Sequence, residues 1–408
     1  MTEQTKFPNR YLILLAATIV GILTGTSLAF SVFRNPLMEA HGWGASQVTL
    51  AYSGFMLMVL AGTFLGGPAQ RKFKPSHIVF VGGMMQGLGF FLTGCIDSLP
   101  LLYICYSLLA GLGNGFLYGT AVGVATKWFP DKKGFANGLC VGGMGLSSLL
   151  FAPLCNGLIE KLSVFASFKI MGGLMIVLFG IFAWFLKAPP VGWKPEGWTP
   201  ATTGTTAVST KDYSVKEMLS SAKYWVLLVA FTCCVLSGVM MTGQVSAIAQ
   251  QQVSITPAQG ALMTGLLALF SFVGRMGLGT LSDKTGRYNM YIAIAAITAL
   301  DLLLFFNSAS SFGSFMVVLF FVACSNGAMM AMLPGLVSDN FGHNVFSVNY
   351  PFIYCGYTIS SFVGPLLASS NYEATGNYQR AVIVAGILAA VGLVGMVLSK
   401  VLSKKQAV

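Results

Sequence analysis

The sequence predicts an all-α membrane protein: twelve transmembrane helices in two pseudo-symmetric six-helix bundles. Three observations predict it. Of the 408 residues, 55% are hydrophobic and 9% charged, against about 25% charged in soluble domains; so few charges leave a water-facing surface of this size uncovered. Apolar segments recur at about 20 residues, the length that crosses a hydrocarbon core, where a backbone must satisfy itself in helices. The two halves also repeat at one constant offset and are joined by a single long polar connection.

The spans fall near residues 11–33, 47–70, 77–96, 100–127, 134–159, 164–186, 224–244, 258–281, 288–306, 314–337, 345–367 and 380–401. The first apolar run, Tyr11 to Phe33, is too long for the apolar stretch of a signal peptide and reads as a helix that stays. In the fourth span, Gly111-Leu-Gly-Asn-Gly115 favours close helix–helix approach. Pro153, Pro334 and Pro365 interrupt spans and predict kinks. Residues 1–186 form the N-terminal bundle, 187–223 a cytoplasmic linker rich in Pro, Gly, Thr and Lys, and 224–408 the C-terminal bundle. Near the end of the linker, Ser214-Val-Lys-Glu217 has capping-box spacing and predicts a short surface helix.

The net charge is +11. The basic residues sit in short loops between apolar segments rather than in a stripe, which excludes a nucleic-acid partner and makes them a topology signal. With the N-terminus inside, the cytoplasmic segments hold 18 of the 23 Lys and Arg residues, and the outside holds Arg34, Lys161, Lys169 and Arg380. Both termini therefore face the cytoplasm, as in a multi-pass plasma-membrane protein of the bacterial inner membrane. Arg275, the one basic residue left over from that count, lies within a span. The eight cysteines lie in or beside apolar segments without a C-x-x-C pair and read as small buried hydrophobes, not as metal ligands. His41, His77 and His343 lie at loops or span ends.

An offset of 212 residues relates the halves. It maps Phe129 to Phe341, Asn137 to Asn349, Ser148 to Ser360, Pro153 to Pro365, Gly67 to Gly279 and Lys72 to Lys284. Two six-helix halves around a midplane cavity are a transporter design.

Gly279-Thr-Leu-Ser-Asp283-Lys284-Thr-Gly286-Arg287, between spans eight and nine, resembles the G-x-L-x-D-[RK]-x-G-R loop signature of the major facilitator superfamily. The first-half copy departs from it, with Arg71 in place of the acid and Lys74 in place of a glycine. Within the superfamily the chain is similar to the oxalate/formate antiporter and monocarboxylate transporter group. Tyr118-Gly-Thr, Lys127-Trp-Phe-Pro-Asp-Lys-Lys-Gly134, Gly274-Arg275 and Asn349-Tyr350 through Gly364-Pro365 carry that similarity, which covers essentially the whole chain. The resemblance implies that Arg275 binds a substrate carboxylate and that Tyr118 and Tyr354 line the cavity. Where oxalate carriers place a second cation this chain has Tyr357, and Ser27 and Leu28 are less polar than the span-one positions of those carriers; both departures favour a monoanion such as lactate, pyruvate or formate. Ser271 stands where animal monocarboxylate carriers have an Asp.

A mid-span arginine costs about 2.5–3.5 kcal/mol on insertion scales, so it faces the bundle interior or water. Its guanidinium matches a carboxylate through two parallel hydrogen bonds. The alternative is a structural arginine tied to backbone carbonyls. Tyr118, Tyr354 and Tyr357 offer hydroxyls, and Asn114 and Asn326, one per half, offer amides to substrate or to neighbouring helices. Asp283, Lys284 and Arg287 are read as a cytoplasmic gate, or else as topology and solubility charges. Asp301, near the outer end of span nine, is a proton carrier or a paired carboxylate.

No Walker loop, H-E-x-x-H or nucleophile elbow is present, so the reading is neither an enzyme nor an ATP-driven pump, with no cofactor. The expectation is a monomeric secondary carrier of a small organic anion, driven by proton symport or by a counter-transported anion. Oxalate/formate-type exchange, hydrophobic drug efflux, a non-transporting sensor and a membrane enzyme are the competing readings.

Overall fold

The computed structural model describes residues 9–190, 193–195 and 212–405. Among these residues the secondary structure is helical, without a strand, and twelve helices are long and apolar enough to cross a membrane. The first six are α1 (Arg10–Ala29), α2 (Gln47–Lys72), α3 (Pro75–Thr93), α4 (Leu99–Trp128), α5 (Lys133–Lys161) and α6 (Val164–Ala183). The second six are α7 (Ala222–Met241), α8 (Gly265–Thr285), α9 (Arg287–Phe305), α10 (Phe312–Phe341), α11 (Phe346–Tyr372) and α12 (Gln379–Ser403). The twelve-span reading of the sequence thus matches helix for helix. About half of the predicted linker, 191–192 and 196–211, lies outside the described residues.

Large apolar side chains such as Leu57, Leu65, Val177, Leu304 and Leu366 are more than half exposed. On a soluble protein such a surface would aggregate; here it is the surface that lipid wets.

Backbone contacts divide the chain into two compact units. One holds the described residues of Met1–Asp131 and Leu150–Trp198, the other those of Lys132–Leu149 and Thr199–Val408. The division passes through α5, whose first 17 residues cluster with the C-terminal helices.

In the first unit, α2 and α4 meet at glycine. A Cβ on Gly115 would lie 2.7 Å from the Thr63 nitrogen and 2.8 Å from the Gly62 Cα, so this backbone approach requires hydrogen at that position. An aromatic core fills the unit: Phe33 stacks on Phe168 at 4.2 Å, and Tyr106 lies 4.7 Å from Phe30 and 5.1 Å from Phe55. Arg10 forks onto Asp131 at 2.8 and 3.2 Å, with its guanidinium 4.7 Å above the Phe129 ring.

Three spans depart from α geometry. α1 tightens to a 3₁₀ helix at Gly25–Ala29, and α4 and α9 widen to π-helix at Tyr103–Ala110 and Asp301–Phe305. Such segments release carbonyls from the regular ladder and recur at functional positions. Pro153, Pro334 and Pro365 lie inside continuous helices.

In the second unit, the chain end that leads into α7 is tied down. Ser214 and Glu217 cap each other, the Ser214 N–H donating at 2.9 Å and the Glu217 N–H at 3.3 Å, and Val215–Leu219 is a short helix. The Tyr213 N–H donates to the Phe341 carbonyl at 3.0 Å, and buried Lys223 donates to the Asn340 carbonyl at 3.1 Å. All eight cysteines are free thiols, Cys95 exposed and the rest buried or half-buried. Repeat partners Phe129 and Phe341 are both fully buried at the ends of α4 and α10, and Asn137 and Asn349 are both buried near the starts of α5 and α11.

Candidate functional site

Arg275 lies mid-span on α8 and is half-buried, with Nε and Nη1 shielded from solvent. One side of it is set by α5. A Cβ on Gly138 would fall 2.5 Å from the Arg275 carbonyl oxygen, one on Gly142 would fall 3.0 Å from the Phe272 ring, and one on Gly145 would overlap Nη1. Three glycines at helical spacing thus give the arginine a trough of bare backbone along α5. On its other side α8 packs against α10. A Cβ on Gly274 would strike the Cys324 backbone and one on Gly327 the Ser271 carbonyl. The Cys324 thiol lies 3.1 Å from the Phe270 carbonyl oxygen, to which it donates.

Asn326, on the same turn of α10 as Gly327, is half-buried. Its Oδ1 is buried without a hydrogen-bond partner, and its amide lies so close to Gly238 of α7 that a Cβ there would sit 2.7 Å from Cγ. An orphaned buried acceptor of this kind costs about 1–3 kcal/mol until a donor arrives. On α11 the rings of Tyr350, Tyr354 and Tyr357 form a ladder with spacings of 5.6 and 5.4 Å, Tyr354 buried and Tyr357 half-buried. Arg275, Asn326, Tyr354 and Tyr357 therefore belong to one unit, on α8, α10 and α11.

Tyr118, Asn114 and Ser27 belong to the other unit, and all three are buried. The 3₁₀ turn of α1 explains two of them. It leaves the Thr24 carbonyl to accept both from Asn114 Nδ2 at 2.8 Å and from Ser27 Oγ at 3.1 Å. Asn114 Nδ2 also lies 3.4 Å from Gln86 Oε1. These donors hold α1, α3 and α4 together.

At the loop signature, Asp283 closes the first turn of α5. It accepts from the Gly134 N–H at 2.8 Å and the Phe135 N–H at 3.2 Å, two of the donors every helix start leaves unpaired. Arg287 donates to Asp283 at 2.8 Å and also to Asp339 at the end of α10. Lys133 donates to Asp339 at 2.7 Å and to Ser338 at 3.1 Å. Two acids and two bases, all largely buried, form one chain of contacts. Lys284 is exposed and stands apart from it. Sequence reasoning missed Lys133 and Asp339. The signal for Asp339 was an acid at the end of an apolar run, two residues before the repeat position Phe341.

A family profile described as Major Facilitator Superfamily matches residues 14–346 and 227–407. The chain is 30% identical to the oxalate:formate antiporter of Oxalobacter formigenes, over 87% of this chain and 83% of the relative. It is 22% identical to monocarboxylate transporter 12 of Rattus norvegicus, over 92% of this chain and 82% of the relative. Among solved structures, the transporter FucP in its outward conformation superposes with a TM-score of 0.73 at 15% identity, over 95% of this chain and 98% of that one. That last likeness concerns the fold alone.

Proposed function

Because this chain belongs to the Major Facilitator Superfamily, a family of multi-pass membrane transporters, we propose that it is a secondary carrier of small monocarboxylates of the lactate, pyruvate or formate kind. The carboxylate pairs with the Arg275 guanidinium. Alternating access then releases it on the other side, driven by differential binding in the two states. The observation that carries the reading is the mid-span arginine held in a trough of glycine backbone, which presents a fork-shaped cation at fixed depth. Similarity to an oxalate:formate antiporter and to a monocarboxylate transporter supports the anion class. Tyr354, Tyr357 and Asn326 are assigned to the second carboxylate oxygen or a substrate hydroxyl. In this reading Asn114 and Ser27 stay structural, held by the Thr24 carbonyl, and Tyr118 stays a candidate.

A second reading, exchange of a dicarboxylate against formate, is favoured by the 30% identity to the Oxalobacter formigenes antiporter. Uncharged Tyr357 on the ladder of α11 favours the monoanion. The test is uptake of labelled lactate, pyruvate, formate and oxalate into proteoliposomes, with and without a pH gradient and with and without internal anion. The expected result is saturable uptake of a monocarboxylate that exceeds that of oxalate. Preferred uptake of oxalate against internal formate establishes the second reading, and uptake of none of the four sinks both.

The topology proposed with this function is cytoplasmic termini in a plasma membrane. It places the α3–α4 connection outside, where Cys95 is the exposed thiol. A membrane-impermeant maleimide is expected to label intact cells, and Cys95→Ala to abolish that labelling. Labelling that requires permeabilised cells reverses the orientation.

A further inference from the structure

A cavity of about 570 Å³ opens in the second unit among α9, α10 and the short turn that joins them. Its lining is apolar apart from Asp301, Ser308 and Ser314. Asp301 is 5% exposed, and its Oδ2 is buried without a hydrogen-bond partner. It opens the π-helical segment of α9, where the Phe306 N–H reaches back five residues to the Asp301 carbonyl. Around it Leu300, Phe305, Val317 and Phe321 are substantially exposed, so the mouth faces lipid.

A carboxyl group in such a place either holds a proton or pairs with a cation, because an isolated charge in hydrocarbon is costly. The lining contains no Lys or Arg to supply one. The volume suits a small ligand, and the chemistry of wall and floor prescribes a long apolar body with one cationic end.

We propose that this cavity binds a lipophilic amine, its ammonium paired with Asp301 and its hydrocarbon chain lying against Phe305, Val317 and Phe321. The site selects the opposite charge to the one Arg275 selects, and it does not depend on the anion reading. Depth decides between a free amine and an aminophospholipid. Along α9, Arg287 to Asp301 is about 21 Å at 1.5 Å per residue, so the carboxylate lies roughly 9 Å short of the far face of a ~30 Å core. A phospholipid ammonium at that depth drags its phosphate into hydrocarbon, and the cavity offers that phosphate no cation. A single-chain amine carries no such group.

The test uses the purified full chain in maltoside micelles, followed by thermal unfolding. Dodecylamine, dodecanol and didecanoyl phosphatidylethanolamine are titrated separately. Dodecylamine is expected to raise the midpoint saturably and dodecanol to leave it unchanged. Asp301→Asn, which keeps the shape and removes the charge, is expected to raise the half-saturating amine concentration about tenfold or more. Val317→Trp narrows the exposed mouth without touching the carboxylate, and is expected to weaken amine binding to a similar degree whether or not the Asn variant folds. An equal response to dodecanol, or unaltered amine binding in Val317→Trp or in a folded Asp301→Asn, overturns the proposal. Saturable binding of phosphatidylethanolamine in competition with dodecylamine overturns the free amine in favour of a bilayer lipid.

Discussion

Arg275→Lys is expected to cut carboxylate uptake into proteoliposomes about ten- to a hundredfold while the protein still folds. The lysine keeps the charge but loses the planar fork, and with it one of two charge-assisted hydrogen bonds worth roughly 1.5–3 kcal/mol each. That energy converts to the stated range at 1.4 kcal/mol per decade. The fold is expected to tolerate the change, because the trough that Gly138, Gly142 and Gly145 leave along α5 accommodates an unbranched stem as readily as the arginine's. The defect should appear as a raised half-saturating concentration for the anion. Uptake within twofold of the parent would remove Arg275 from the ligand and turn attention to Asn326 and the tyrosine ladder.

Asp339→Asn is expected to be the most destabilising single change at the loop signature, by about 3–5 kcal/mol in thermal or denaturant unfolding of the purified protein. Asp339 is the common anion of Lys133 and Arg287, both buried beside it. Removing its charge deprives Lys133 of its ion-pair partner and leaves Arg287 with Asp283 alone. The Lys133→Met/Asp339→Leu double variant should recover a large part of the loss, because an apolar pair of similar volume no longer strands a charge. Unfolding of Asp339→Asn at the parental midpoint would show that water, not the protein, satisfies these bases. Asp283→Asn is expected to cost less, since an amide oxygen still accepts from the Gly134 N–H and only the Phe135 N–H loses its acceptor.

The twelve spans were legible because lipid imposes one rule on every segment: enough apolar residues in a row, no backbone left unpaired. The loop from Gly279 to Arg287 was legible because its residues are contiguous. What contiguity does not carry was lost. Lys133 and Asp339 are 206 positions apart, and nothing local marks either as the partner of the other; Lys284, a residue of the signature itself, drew the reading instead. Asn114 read equally well as a ligand or a helix tie. The deciding fact is the 3₁₀ turn at Gly25–Ala29, which follows the Thr24 carbonyl and leaves it as an acceptor. No residue preference in Gly-Thr-Ser-Leu-Ala announces that turn. Arg275 stood out in the sequence as a cation inside a span, and the family resemblance gave it its expected role; the trough of α5 did not show, since a glycine-rich helix reads as helix packing until its partner is known.

The trough also bears on how such a protein diversifies. At residue 145 hydrogen is all that separates a main chain from the guanidinium. Admitting a single methyl there would push the guanidinium aside without altering the identity of any side chain around it. On the proposed function, new preferences can then arise from drift in the furniture behind the cation, and a search for selectivity confined to residues in contact with the solute would pass over Gly145.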